Sequence, residues 1–214
     1  MVSILDSLLV VVLVLNLFAL GTSRIQSVIR IVAIQGVLLG AMPLFAHTPV
    51  ELATLGIAAV AVLLKGVLIP RMLSHALRDA TIKKEVEPLI GVLPSMILGA
   101  LATGFAMVFS SQLPLADTHQ TARLVVPASL STVLIGFILL ITRYKAITQV
   151  IGYLVLENGI FIFGLLLVES MPLVVEMGVL LDLFVGIFVI CIIVNHINRA
   201  FSSLDTRQLA NLKE

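Results

Sequence analysis

Long apolar runs, each about as long as a bilayer is thick, alternate along the chain with short polar breaks. Hydropathy predicts spans at about 4–22, 26–46, 50–73, 89–110, 124–142, 146–168 and 172–197. Seven such helices occupy nearly all of the 214 residues and leave no room for a soluble domain. The expected class is all-α: a polytopic membrane protein of about seven transmembrane helices, in one integral membrane domain over 1–214. Within it, 1–74 holds three helices, 75–123 a cytoplasmic loop, helix four and an outer loop, 124–198 helices five to seven, and 199–214 a cytoplasmic tail. The first run is expected to be a retained span rather than a cleaved signal, because Met1 to Ser7 holds no Lys or Arg and does hold Asp6.

Composition sharpens the class. The chain is 60% apolar and 12% charged, with a mean hydropathy of +1.19, whereas soluble domains are about 25% charged. A net charge of +1 gives no reason to expect nucleic acid as a partner. The single cysteine, Cys191, lies in an apolar run, so intramolecular disulfides, cysteine zinc sites and cysteine-ligated iron–sulfur clusters are excluded. Phosphate-binding Gly loops, HExxH and any arguable Ser–His–Asp set are missing, and no two His have ligand spacing. No catalytic residue, metal site or cofactor of the chain's own is expected.

Trp is absent and Tyr occurs twice, so orientation must come from the basic residues. Alternate loops carry Arg24 and Arg30, then Arg71, Arg78, Lys83 and Lys84, then Arg143 and Lys145, then Arg199, Arg207 and Lys213. Those are eleven of the 13 Lys and Arg residues. The opposite side has Arg123, and Lys65 lies inside a span. The asymmetry predicts an inner or plasma membrane protein with its amino terminus outside and its carboxyl terminus in the cytoplasm.

The one long polar segment, Ser74 to Pro88, is read as a solvated cytoplasmic loop or a docking site for a peripheral partner. In the tail, Phe201, Leu204, Leu209 and Leu212 fit either a short interfacial helix or a frayed terminus. Spans one to three and five to seven share a plan, with Pro49 against Pro172 and Glu51 against Glu176, which suggests a parallel three-helix duplication.

Three ionisable residues fall near mid-membrane: Lys65 in span three, Glu157 in span six and Asp182 in span seven. By helical rise, Glu157 is about 16 Å from the cytoplasmic end of its span and Asp182 about 15 Å from the outer end of its own. One shared layer is therefore expected. Each charge costs about 2.5–3.5 kcal/mol at a helix centre, so none can face lipid unpaired. They pair with one another or with a neighbouring subunit, or a carboxyl stays protonated. A carboxyl whose ionisation depends on whether a lysine is close is already a proton switch; the competing reading is a static ion-pair cluster that fixes helix register.

The neighbouring residues fit internal faces. Gly178 and Gly186 flank Asp182, and Tyr153, one turn before Glu157, is expected to hydrogen-bond its carboxyl. Pro70 has no N–H for the carbonyl of Gly66, which predicts a kink beside Lys65. Glu176, about one turn inside the last span, is the candidate lining residue of an outer exit. Gln35 and Gln149 are read first as interhelical hydrogen-bonders and second as extensions of a polar track. His47, Glu51 and Glu169 near the outer surface, and His75 and His196 at cytoplasmic ends, are read as surface residues.

The segments QVIGYLVLENGIF (149–161) and VEMGVLLDLFVGIFVI (175–190), with the tail, resemble component E of the hydrogenase-4 type of membrane-bound hydrogenase. LLKGVLIPRML (63–73) resembles that family's lysine-bearing third helix. The family is similar, over about the last 90 residues, to the three-helix K-type subunit of respiratory complex I. Asp182, four residues before Gly186, stands where the K-type subunit has its second buried glutamate. In the other helix the K-type acid follows the glycine by two residues, whereas here Gly152 is followed by Tyr153 and Leu154, and the acid comes one turn later as Glu157. Lys65 has no counterpart in the three-helix subunit.

The resemblance implies a non-catalytic membrane-arm subunit of a complex I-like oxidoreductase. Its partners would be antiporter-like and quinone-module-like membrane subunits, cytoplasmic [NiFe] hydrogenase and iron–sulfur subunits, and the lipid bilayer. Lys65, Glu157, Asp182, Glu176 and Tyr153 would form a proton or charge relay. The alternatives are a structural spacer in the same complex, a K-like subunit of another complex I or antiporter-related assembly, and a self-standing transporter.

Overall fold

The computed structural model describes residues 2–46, 52–79, 89–113, 124–143, 145–165 and 178. Its elements are α1 (Val2–Gly21), α2 (Ile25–Ala41), α3 (Pro43–Ala46), α4 (Leu52–Ala61), a π-helix (Val62–Leu68), α5 (Ile69–Asp79), α6 (Val92–Ser111), α7 (Val125–Thr142) and α8 (Ala146–Gly164). Among the described residues, six helical stretches are long and apolar enough to cross a membrane: Ile4–Gly21, Ile25–Phe45, Ala58–His75, Val92–Ser111, Val125–Thr142 and Ile147–Gly164. They match the first six expected spans. Apart from residue 178, the seventh, at 172–197, lies outside the described residues, as does the tail at 199–214. The duplication expected between spans one to three and five to seven falls partly on those residues.

The third span differs from expectation in two ways. Helix continues past residue 73 to Asp79, so Ser74 to Asp79 are not loop. The cause is amphipathicity: Ile69, Leu73 and Leu77 recur every fourth residue on the buried side, while Arg71, His75 and Arg78 are exposed. The irregularity beside Lys65 is also a seven-residue π-helix, in which Ile69 N–H donates to Leu64 O five residues back. Carried on by one residue, that register needs an N–H at Pro70 to reach Lys65 O, and proline has none. The Lys65 carbonyl faces α2, since a Cβ built on Gly36 would lie 2.9 Å from its oxygen.

Helices α7 and α8 form the tightest pair. Side chains at Gly136, Gly152 and Gly159 would each lie within 2.5–2.8 Å of backbone atoms of the facing helix. These glycines let the two backbones touch, the usual way membrane helices associate when lipid supplies no hydrophobic drive. Helix α6 packs through the small residues Ser95, Gly99 and Ala106, and turns Leu93, Leu101, Phe105 and Val108 outward. Its start is tied to the end of α7 by Leu89 N–H donating to Thr142 O at 2.8 Å.

The interior divides into two apolar clusters. One gathers Leu20, Ile25, Ile29, Ile69, Leu73, Ile135, Leu139, Ile151 and Val155 toward the end where α2 and α8 begin. The other gathers Leu5, Leu9, Val12, Leu39, Val125 and Ile162 toward the opposite end. Between them each of α1, α2, α7 and α8 inserts buried polar residues: Asn16, Gln35, Ser129 with Thr132, and Glu157 with Asn158. The fold is thus a helical bundle with a polar layer sandwiched at mid-height between two greasy ones.

Candidate functional site at mid-membrane

Lys65 enters the polar layer from the π-helix. Its Nζ lies 3.8 Å from Glu157 Oε1, and the two side chains are only 10% and 11% exposed. The same ammonium donates to Asn158 Oδ1 at 3.5 Å and sits 5.1 Å from the centre of the Phe161 ring. Glu157 and Asn158 are neighbours on α8, and Phe161 is one turn on, so one helix face supplies an anion, an amide and an aromatic ring. Charge-assisted N–H···O bonds close to about 2.7–2.9 Å. The contacts to Glu157 and Asn158, at 3.8 and 3.5 Å, are longer than that. A cavity of about 10 Å³, lined by Ile29, Val32, Lys65, Pro70, Leu154 and Asn158 among others, adjoins the ammonium. That is about the space of one water.

A second, uncharged group of side chains completes the layer. Gln35 Nε2 donates to Asn16 Oδ1 at 2.8 Å, Asn16 Nδ2 to Thr132 Oγ1 at 2.8 Å, and Thr132 Oγ1 to Ala128 O at 2.6 Å. Three helices are thereby linked by a chain of donors that all point the same way. Its open end is Gln35 Oε1, which is buried without a partner among the described residues. Ser129 Oγ donates to Gly159 O at 2.9 Å, and Thr103 and Ser131 share a bond of 2.8 Å. Gly36, next to Gln35, lies against Lys65 itself, so the neutral chain and the charged pair abut.

Of the five sequence-selected relay residues, the structure brings Lys65 and Glu157 together. Tyr153 is half-buried and packs against the apolar cluster one turn before Glu157. Asp182 and Glu176 lie outside the described residues, as do His47, Glu51, Glu169 and His196. Gln35 makes the interhelical bond expected of it. Gln149 does not: it is exposed, and its Nε2 donates to Arg143 O at 3.1 Å, a local bond that closes the α7–α8 turn. His75 is exposed, as expected.

Three participants escaped the sequence reading. Asn16 was hidden inside an apolar run, and Thr132 looked like ordinary helix surface. Arg143, taken as a loop cation, is 2% exposed. Its Nη2 donates to Leu20 O at 3.2 Å, at the carbonyl end of α1, where a cation meets the helix dipole favourably. Desolvation there draws its pKa below the ordinary guanidinium value, and Nη1 has no partner among the described residues. No group of three or more His, Cys, Asp or Glu that could hold a metal occurs among the described residues.

Fold and site together define a multi-pass membrane protein with a lysine–glutamate pair buried between helices. The chain belongs to the same family as a protein of Mycobacterium tuberculosis, described as uncharacterized protein Rv0085, with which it is 30% identical over 194 residues, 89% of this chain and 87% of that one. It is more distantly similar to hydrogenase-4 component E of Escherichia coli K12, at 27% identity over 158 residues, 73% of this chain and 72% of that protein. The same protein of Shigella flexneri gives equal figures. No protein-family model matches the chain, and no solved structure matches it.

Proposed function

We propose that the chain is a membrane-arm subunit of a complex I-like, hydrogenase-type assembly, and that Lys65 and Glu157 carry charge through its mid-membrane layer during coupled proton or sodium translocation. The observation that carries this reading is the buried pair at 3.8 Å, set in an irregular helix and flanked by a water-sized cavity. Intramembrane ionisable residues that face a bundle interior mark ion pathways as a rule. Similarity to hydrogenase-4 component E supports membership of a multisubunit membrane complex. In this reading Asp182 and Glu176 extend the path toward the outer side, Tyr153 supports Glu157, and the chain adds no redox centre. The partners are the antiporter-like and quinone-module-like subunits and the cytoplasmic [NiFe] hydrogenase and iron–sulfur subunits. The basic residues orient the chain in the inner membrane with its carboxyl terminus cytoplasmic.

Mechanistically, the ammonium and carboxylate stabilise each other's charge. A proton or cation arriving on Glu157 frees Lys65 to turn toward Asn158 and the cavity, and its departure draws the lysine back. The ammonium lies at similar distances from both groups, 3.8 Å from Glu157 Oε1 and 3.5 Å from Asn158 Oδ1. The test is Glu157→Gln and Lys65→Met in the purified assembly, reconstituted in vesicles with a pH- or sodium-sensitive dye. Translocation should fall at least tenfold while subunit composition is retained. Normal assembly with normal translocation in both variants overturns the relay.

A second reading has an observation in its favour: the neutral chain from Gln35 through Asn16 to Thr132 shows that this layer also fastens helices. If the charged pair does only that, Lys65→Met lowers the yield of assembled complex and leaves translocation per complex unchanged. A self-standing transporter is separated by purification, since it has no large stable partners.

A further inference from the structure

A second site lies where α2 begins and α5 ends. A cavity of about 330 Å³ is lined by Ile29, Arg30 and Ala33 of α2 and by Pro70, Arg71, Ser74, His75 and Arg78 of α5. Arg30, Arg71 and Arg78 are all exposed, and among the described residues none of the three makes an ion pair. Three guanidinium groups around one hollow repel each other, so the arrangement is most stable with an anion between them. A guanidinium fork fits phosphate oxygens in particular, and Ser74 adds a hydroxyl.

Depth distinguishes a lipid from a soluble anion. Arg71 and Arg78 are six and thirteen residues beyond Lys65, hence about 9 and 20 Å along the helix from the mid-membrane layer. The hydrocarbon half-thickness is about 15 Å and the headgroup layer extends to about 20–22 Å, so the two arginines bracket the hydrocarbon edge and Arg78 reaches the headgroups. Below the cavity the same helix faces turn apolar and stay uncovered. Ile34 (50% exposed) and Val37 (41%) follow Arg30 at helical spacing on α2, and Leu63 (60%) and Val67 (36%) precede Arg71 on the other helix. Charge above and grease below match an amphiphile.

We propose that this cavity binds the phosphate of an anionic phospholipid, whose acyl chains lie along the Ile34–Val37 and Leu63–Val67 surface. The site is separate from the Lys65–Glu157 pair, and its test does not depend on ion translocation. The full chain, purified in detergent with the subunits that accompany it, is titrated with phosphatidylglycerol, phosphatidylcholine and inorganic phosphate, with bound lipid counted by native mass spectrometry. Phosphatidylglycerol is expected to bind at least tenfold more tightly than phosphatidylcholine and to stay bound in millimolar inorganic phosphate. The triple variant Arg30→Gln, Arg71→Gln, Arg78→Gln should weaken it roughly a hundredfold, at about 1 kcal/mol for each cation. Arg24→Gln, an exposed arginine outside the cavity, should leave binding unchanged. If the triple variant does not fold, Arg78→Gln alone should weaken binding about fivefold. Equal binding of the two lipids, displacement by inorganic phosphate, or unchanged binding in the variants overturns the proposal.

Discussion

Gly36 of α2 lies against the backbone of Lys65, so close that a Cβ on it would stand 2.7 Å from Lys65 Cβ and 2.9 Å from the Lys65 carbonyl oxygen. The residue carrying the buried charge is thus held where one helix presents no side chain. Gly36→Ala forces the two helices apart, at the overpacking cost of about 1–3 kcal/mol. It should lower the midpoint of thermal unfolding in detergent. Gly56→Ala is the matched control, because nothing lies within 4 Å of its Cβ position. There alanine should be neutral or stabilising by up to about 1 kcal/mol.

The Lys65–Glu157 pair predicts a non-additive mutant cycle. Removing one partner leaves the other buried charge without its counter-charge in the pair, at about 3–5 kcal/mol, whereas removing both leaves neither charge buried. Lys65→Met and Glu157→Gln should each destabilise strongly, and the double variant should be more stable than the sum of the single losses by at least 1 kcal/mol. Chemical denaturation in detergent measures the cycle. Additive effects would show that the two side chains do not interact in solution.

Apolar run length alone revealed the membrane class and the first six spans, because a bilayer imposes a length that few other environments do. The mid-depth charges were equally plain, since a lysine or carboxylate in an apolar run is costly enough to stand out. What the residues could not reveal is which neutral polar groups share the layer. Asn16 sits among Val, Leu and Phe with no periodic signal, and only the crossing of α1, α2 and α7 brings it to Gln35 and Thr132. Arg143 was misread for a related reason. Beside a span end a basic residue is normally solvated, and its burial depends on the carbonyl end of α1 lying opposite. The extra turns of α5, in contrast, were legible in the spacing of Ile69, Leu73 and Leu77; the density of charge between them had suggested a loop.

The neutral chain predicts a modest stability effect with no ionic component. Thr132→Val removes the acceptor for Asn16 and should cost about 0.6 to 1.7 kcal/mol, the range for hydrogen bonds between membrane helices. Asn16→Leu removes two partners and leaves Gln35 Nε2 only the longer bond to Val12 O at 3.5 Å, so it should cost more. Both losses should be insensitive to salt and pH. A thermal-shift series across ionic strength checks this, and a salt-dependent loss would tie the chain to the charged pair.

Pro70 predicts a trade between stability and function. Proline inside a helix costs about 3 kcal/mol, and here it removes a backbone N–H just past the end of the π-helical stretch. With Pro70→Ala an N–H returns at position 70, and the ordinary four-residue register becomes available from Gly66 O. Removing the extra residue of the π turn rotates what precedes it by about 100° relative to α5. Because Ile69, Leu73 and Leu77 anchor α5 in the apolar cluster, the rotation falls on Lys65 and swings it away from Glu157. The variant should therefore unfold at a higher temperature yet translocate ions several-fold more slowly. A spin-label distance from position 65 to position 157 should lengthen in parallel. If Pro70→Ala is more stable and translocates at the wild-type rate, the π-helix is a packing accident and the position of Lys65 is set by Gly36 alone.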